Sequence, residues 1–186
     1  MCSVPRPSRV HGLADTLLYG SIETISVGKI LKKMVVLSID IGSTNFGWSR
    51  WTPERGFYDF GLLNLKNVNG RDLPEKMHTL YEKGFFDAEI ILVERQMRAK
   101  FKCCATAIRC LGDNFKKTRI ISPQSVKRHF STMKLNHREN KKAHMELAST
   151  FMSEEELKHL TIFKKKDDIC DTIIQTRYFV EKNNIV

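Results

Sequence analysis

Four carboxylates in this chain stand where carboxylates are costly. Asp40 interrupts the apolar run Val35-Val36-Leu37-Ser38-Ile39. Glu94 ends the run Ile90-Ile91-Leu92-Val93. Asp168 and Asp171 sit in a C-terminal segment that continues through Ile169, Ile173 and Val180. An unpaired carboxylate attached to a buried element is rare and destabilising unless something compensates it. Brought together, such groups repel and raise one another's pKa values, and a hard divalent cation relieves that strain. Oxygen-only ligands suit Mg²⁺ or Mn²⁺. Two such ions about 3.5–4 Å apart would activate a water and stabilise the leaving oxygen of a phosphodiester. Plainer roles also exist for these acids. Asp40 could cap a turn, and Asp168 with Asp171 could serve as dipole partners at a helix N-terminus.

The elements that must position these acids can be read from pattern. Val35 to Ile41 is rich in β-branched residues and predicts a buried strand. Gly42-Ser43-Thr44-Asn45 and Gly47 supply turn chemistry, which predicts a hairpin into a second strand over Phe46 to Trp51. Gly56 to Leu65 alternates and predicts a third antiparallel strand. Asp72 to Gly84 predicts a helix, with Leu73, Met77 and Leu80 on one face, Pro74 in the first turn and Gly84 at its end. A strand over Ala88 to Glu94 follows, then a helix over Lys100 to Phe115. Thr118 to Ile121 predicts a short strand. Ser122-Pro123 caps a helix through Phe130. Ser131 to Asn140 reads as a polar loop containing His137, Lys141 to Met152 as a helix, and Ser153-Glu154-Glu155-Glu156 as a capping box for a short helix. Asp167 to Asp171 opens the last helix, with Asp168 and Asp171 on one face. This order predicts an α/β fold: a mixed sheet flanked by helices on both faces.

Composition bounds the rest. A chain of 186 residues suits one domain with a sizeable core, and no apolar run is long enough for a membrane span. The formal net charge of +10 points to a polyanionic partner, and nucleic acid fits better than a membrane surface. Five cysteines, an odd number without a CxxC pair, argue against a disulfide framework or zinc site and for a reducing compartment. Residues 1–33, with Pro5, Pro7 and scattered polar residues, read as a loose N-terminal extension holding a short helix around Leu17, Leu18 and Ile22. Residues 34–186 read as the folded domain.

Taken in order, four motifs carry a resemblance. Ser38-Ile39-Asp40-Ile41-Gly42, Val93-Glu94-Arg95-Gln96, Ser122-Pro123-Gln124-Ser125-Val126-Lys127 and Lys166-Asp167-Asp168-Ile169-Cys170-Asp171 resemble those of RuvC-like Holliday junction resolvases. The branch they most resemble is shared by poxviruses, iridovirus-like large DNA viruses and fungal mitochondria. Each motif is short, but together they span residues 35–182. The resemblance implies an RNase H-like fold, a homodimer, and paired symmetric nicks across a four-way DNA junction with two Mg²⁺ ions (or Mn²⁺) per active site. By position it implies Asp40, Glu94, Asp168 and Asp171 as metal-binding, catalytic residues, with Asp167 secondary, as a helix cap. Asn140-Lys141-Lys142 resembles the place where the family keeps a lysine near the scissile phosphate. Which lysine fills that role stays open; Lys142 joins the catalytic set here and Lys141 the DNA-binding set. An intracellular site follows, whether a viral replication site, the host cytoplasm or nucleus, or a mitochondrion.

Arg95, Arg98, Lys100 and Lys102 follow Glu94 directly, and with Lys127 and Lys141 they are expected to hold DNA phosphates. Phe101 is expected in the core. Cys103, Cys104 and Cys110 are expected as buried, inert thiols on the helix that helps build the dimer in such folds. His129, His144 and His159 read as ordinary, and His137 is kept in view. Asp40 to Asn45 also resembles the first phosphate loop of sugar kinases and actin-like ATPases, but the chain is too short for their second domain. A related nuclease for flaps, forks or RNA–DNA hybrids would carry the same acids. A non-catalytic DNA-binding protein would not keep all four facing DNA.

Overall fold

A computed structural model of the chain describes residues 34–185, apart from Ser43, Lys134 and the side chain of His137. The expected N-terminal extension and its short helix lie outside the described residues, as does the His137 side chain. The elements are β1 (Val36–Ile41), β2 (Asn45–Thr52), β3 (Gly56–Asn64), α1 (Leu73–Glu82), β4 (Ile90–Glu94), α2 (Ala99–Cys110), α3 (Asn114–Lys117), β5 (Thr118–Ile121), α4 (Pro123–His129), α5 (His137–Ser149), α6 (Glu154–Leu160) and α7 (Lys166–Lys182). The strands form one mixed sheet in the order β3-β2-β1-β4-β5. The pairs β1–β2 and β2–β3 are antiparallel, and β1–β4 and β4–β5 are parallel.

Two apolar layers cover the sheet, and strand alternation decides which one each side chain enters. Val36 and Leu92 pack with Val126, Ala148, Ile169 and Ile173 beneath α4, α5 and α7. Leu37, Ile39, Ile41, Ile91 and Val93 pack with Leu73, Met77, Cys104 and Ile108 of α1 and α2. With a period of two, Asp40 falls on the face of Val36 and Glu94 on the face of Leu92, so both acids belong to the α7 side. The parallel register pairs Ile39 with Val93. One residue further, Asp40 comes beside Glu94, at the carboxyl ends of adjacent parallel strands where open α/β sheets leave a crevice.

Helix α7 lies across β1 and β2 and is fixed there by polar as well as apolar contacts. The buried Gln175 amide donates to Ser38 Oγ at 2.9 Å. Gly47 pairs with Asp40 in the hairpin, and a Cβ at that position would stand 2.6 Å from the backbone oxygen of Asp168. The glycine therefore permits the close approach that brings the first turn of α7 to the end of β1.

Three elements differ from the sequence expectation. The helix expected over Lys100 to Phe115 is broken: α2 ends at Cys110 and α3 is a single turn. The break is at Gly112, whose φ of +50° is left-handed and whose missing Cβ makes room for the Tyr81 hydroxyl, 2.1 Å from where it would lie. The helix expected from Lys141 begins a turn earlier, at His137. Asn136 caps it, with Glu139 completing a capping box that the polar composition of the segment masks. Asp167 is not a helix cap: Lys165 holds the N-cap position of α7. Among the described cysteines all are free thiols; Cys104 and Cys170 are buried, while Cys103 and Cys110 are exposed rather than buried.

Candidate active site

The carboxyl ends of β1 and β4, the start of α4, the first two turns of α5 and the front half of α7 enclose a cavity of about 240 Å³. Asp40, Glu94 and Asp171 line it, and Lys127, Lys141 and His144 complete the wall. Asp168 lies one turn before Asp171 on α7. Its Oδ2 accepts from the Asn45 side chain at 3.2 Å, tying the helix to the hairpin. Asp171 Oδ1 is 2.7 Å from Nδ1 of the largely buried His144. Thr132 Oγ1 stands 3.5 Å from the other ring nitrogen. Asn140 also borders the cavity. Its amide nitrogen donates to the Leu135 and Asn136 carbonyls, while its Oδ1 is buried without a donor.

The cavity concentrates negative charge that the protein only partly offsets. Burial, reinforced by Glu94, Asp171, Asp168 and Asp167, raises the Asp40 pKa well above the ordinary carboxylate value. Glu94 is pushed up to about 7, by burial first and by Asp171 next, with Lys127 and His144 opposing. Burial also raises Asp168, against the hydrogen bond from Asn45. Asp167 goes the other way: burial pushes it up, but its hydrogen bond and ion pair with Lys141 bring it below its ordinary value. That same bond raises the Lys141 pKa, so the ammonium is held charged on the cavity wall. Such opposed shifts in one cleft mark a functional site more often than a structural one.

The residues singled out from sequence divide into three groups. Asp40, Glu94, Asp168 and Asp171 come together from three elements, with Lys127 and Lys141 beside them. Lys142 does not join them: its side chain is 80% exposed and faces Glu146 one turn on. A single step along a helix rotates a side chain by about 100°, so of two successive lysines only one can face the cavity. Lys100 is directed elsewhere, donating to the Val68 carbonyl at 3.0 Å. Arg95 and Lys102 line a neighbouring cleft beside Glu94, and Arg98 is exposed at the N-cap of α2. Phe101 packs against the α1–α2 core. His144, which reads as ordinary from sequence, instead lines the cavity and holds Asp171. The signal available was its position three residues after Lys141 on a helix, which puts it on the same face. Asn45 carries no sequence signal beyond turn chemistry, and Asn140 is marked only as the residue before the Lys141-Lys142 pair.

The fit of a divalent ion can be judged on charge and donor type. The cavity offers carboxylate oxygens, an unpartnered amide oxygen and uncompensated negative charge, a donor set for a hard cation. Among the described residues no group of three or more Asp, Glu, His or Cys side chains stands close enough together to hold a metal ion by itself. Asp40, Glu94 and Asp171 stand apart around an open cavity, as expected where like charges repel and part of the coordination is left to water and substrate.

No family model and no curated protein sequence matches this chain. Solved structures do match its fold. The fowlpox virus Holliday junction resolvase superposes with a TM-score of 0.61 at 15% identity, covering 81% of this chain and 99% of that one. The complex of the fowlpox virus resolvase with its substrate Holliday junction DNA gives 0.59 at 14% identity, covering 81% and 99%. RuvC of T. thermophilus in complex with a Holliday junction substrate gives 0.50 at 15% identity, covering 80% and 96%. The architecture is therefore that of RuvC-like resolvases, as the motifs led us to expect.

Proposed function

We propose that this chain is a metal-dependent endonuclease that resolves four-way DNA junctions by paired nicks, acting as a homodimer. The observation that carries this reading is the meeting of Asp40, Glu94 and Asp171 on one cavity, with Asp168 one helical turn away and near enough to add to the charge felt by Asp40, in a fold it shares with junction resolvases. The basic balance of the chain supplies the attraction for a polyanion. Dimerisation follows from the task, because two sites must face opposite strands if both nicks are to leave ligatable duplexes.

In this reading the four carboxylates hold Mg²⁺ or Mn²⁺, which when bound activates a water and offsets charge on the leaving oxygen. The chain's own residues do the positioning. His144 fixes the rotamer of Asp171 in the cavity wall, and Asn45 that of Asp168 one turn before it on the same helix face. Lys141, held charged by Asp167, is placed to meet a non-bridging phosphate oxygen, and Lys127 flanks it on α4. A fixed cation beside a phosphoryl group that gains charge is worth more in the transition state than in the ground state. The scissile strand is left with 5′-phosphate and 3′-hydroxyl ends.

The test is incubation of a labelled synthetic four-way junction with Mg²⁺ beside a linear duplex and a flap of the same sequences, with cuts mapped on every strand. Symmetric paired nicks confined to the junction are expected. Cutting of flaps with equal ease would replace the junction reading by a broader branched-DNA nuclease. Binding without cutting in Mg²⁺ and Mn²⁺ alike would refute the assignment of the carboxylate cavity.

A further inference from the structure

A second cavity, also of about 240 Å³, opens beside the first, and Glu94 borders both. One side of it is a single stripe of α2: Lys102, Ala105, Thr106 and Arg109. These are the i, i+3, i+4 and i+7 positions, which share a helix face. The two short inner side chains leave the space, and the two long cations stand at its ends, roughly 10 Å apart along the helix axis. Arg95 and Gln96, just beyond β4, form the facing wall.

The protein does not use the polar groups of this cleft. Among the described residues Arg95, Lys102 and Arg109 take part in no ion pair. The Gln96 amide nitrogen and Arg109 Nε are buried donors without an acceptor. Unmet buried donors cost stability and call for an explanation. The Arg109 guanidinium lies over the Phe115 ring at 4.8 Å, which limits its swing into solvent. Three cations and two idle donors against one carboxylate suit an anion rich in acceptor oxygens. Glu94, common to both cavities, puts that anion next to the acidic site and not at a remote patch.

We propose that this cleft is a phosphate subsite, which takes one backbone phosphate of the DNA strand that lies across Glu94, within two nucleotides of the bond to be cut. The inference rests on the nuclease reading above and adds to it a fixed register: a strand anchored here can present only certain linkages to the acids. Arg109, which carries no sequence signal for DNA contact, and Gln96, the last residue of the Glu94 motif, become the residues that set that register.

The test is a charge-swap cycle between protein and DNA. Binding of a four-way junction is measured in Ca²⁺ in place of Mg²⁺, with single neutral methylphosphonates placed at successive linkages around the cut. For the wild-type protein one such linkage is expected to weaken binding about tenfold, the size of a lost charge-assisted contact. Arg109→Gln and, separately, Lys102→Gln should each bind the unmodified junction about tenfold more weakly. Each should then lose nothing more at that one linkage, while losing as much as wild type at the others. Lys102 is exposed, so its variant keeps the test decisive if Arg109→Gln misfolds. Losses that multiply at every linkage would overturn the subsite. So would inorganic phosphate that occupies the wild-type cleft and is not displaced by junction DNA. Cleavage of the unmodified junction in Mg²⁺ is run alongside. No cleavage at all would sink the nuclease reading, whereas multiplying losses with cleavage intact would sink the subsite alone.

Discussion

Replacing Glu94 by Gln separates what the acidic cavity does from what it costs the fold. Burial, with Asp171 second, raises the Glu94 pKa from 4.5 to about 7. Each pKa unit is about 1.4 kcal/mol of differential interaction, so ionising Glu94 in the native protein costs up to about 3 kcal/mol more than in the unfolded chain. The native state holds this proton more tightly than the unfolded state does. The penalty is therefore absent well below pH 4.5, grows between 4.5 and 7, and is complete above 7. Glutamine keeps the shape and never carries the charge. In EDTA at pH 8 the variant should thus be the more stable protein. With about 2–4 °C of melting temperature per kcal/mol for a chain of this size, the gain is at most roughly 6–12 °C. Thermal melts followed by circular dichroism at pH 4.5, 6 and 8 would show the gap opening as pH rises. Added Mg²⁺ at pH 8 should narrow it by stabilising wild type more than the variant. Junction cleavage by the variant should be lost. A Glu94→Gln protein that is less stable than wild type at pH 8, or whose advantage is the same at pH 4.5, would refute the reasoning.

Other outcomes follow from single contacts. Lys141→Ala should lower single-turnover cleavage on the order of 10²-fold or more, while Lys142→Ala, which removes an exposed side chain, should stay within about twofold. His144→Ala frees the Asp171 carboxylate and should cost about 10–100-fold in cleavage and in Mn²⁺ affinity measured by calorimetry; full activity in this variant would remove His144 from the site. Gly47→Ala drives a methyl into the Asp168 backbone and should cost about 1–3 kcal/mol, seen as a melting temperature lower by several degrees. Unchanged melting would mean that α7 does not depend on this approach.

Much of the fold was legible because the signals were local. β1, β4 and α7 announce themselves by β-branched runs and by a long apolar helical segment, and their acids stand out as exceptions within them. Glycine at 42 and 47 marks the hairpin. The elements misread are those in which a tertiary neighbour or a masked cap decides the boundary. Gly112 ends α2 because Tyr81, from another helix, occupies the space a side chain would need. Asn136 and Glu139 start α5 inside a stretch whose composition reads as loop. The choice between Lys141 and Lys142 is of the same kind, since helix phase relative to α7 cannot be read from two adjacent lysines. His144 reads as ordinary from sequence because its partner, Asp171, lies 27 residues away.

The geometry also explains why acids so distant in sequence can form one site without a dedicated motif. Asp40 and Glu94 need only equal parity on adjacent parallel strands, which the β1–β4 register supplies. Asp168 and Asp171 need only a helix laid over that strand end, which Gly47 and the Gln175–Ser38 bond arrange. Each requirement is a packing rule that many sequences satisfy, and the candidate site itself is a handful of carboxylates. A chain can therefore keep this fold at 15% identity to the fowlpox virus resolvase and match no family model. What such a chain is free to vary is the surface beside the acids. That is where α2 places its cations and idle donors, and where the register and breadth of the substrate would be decided.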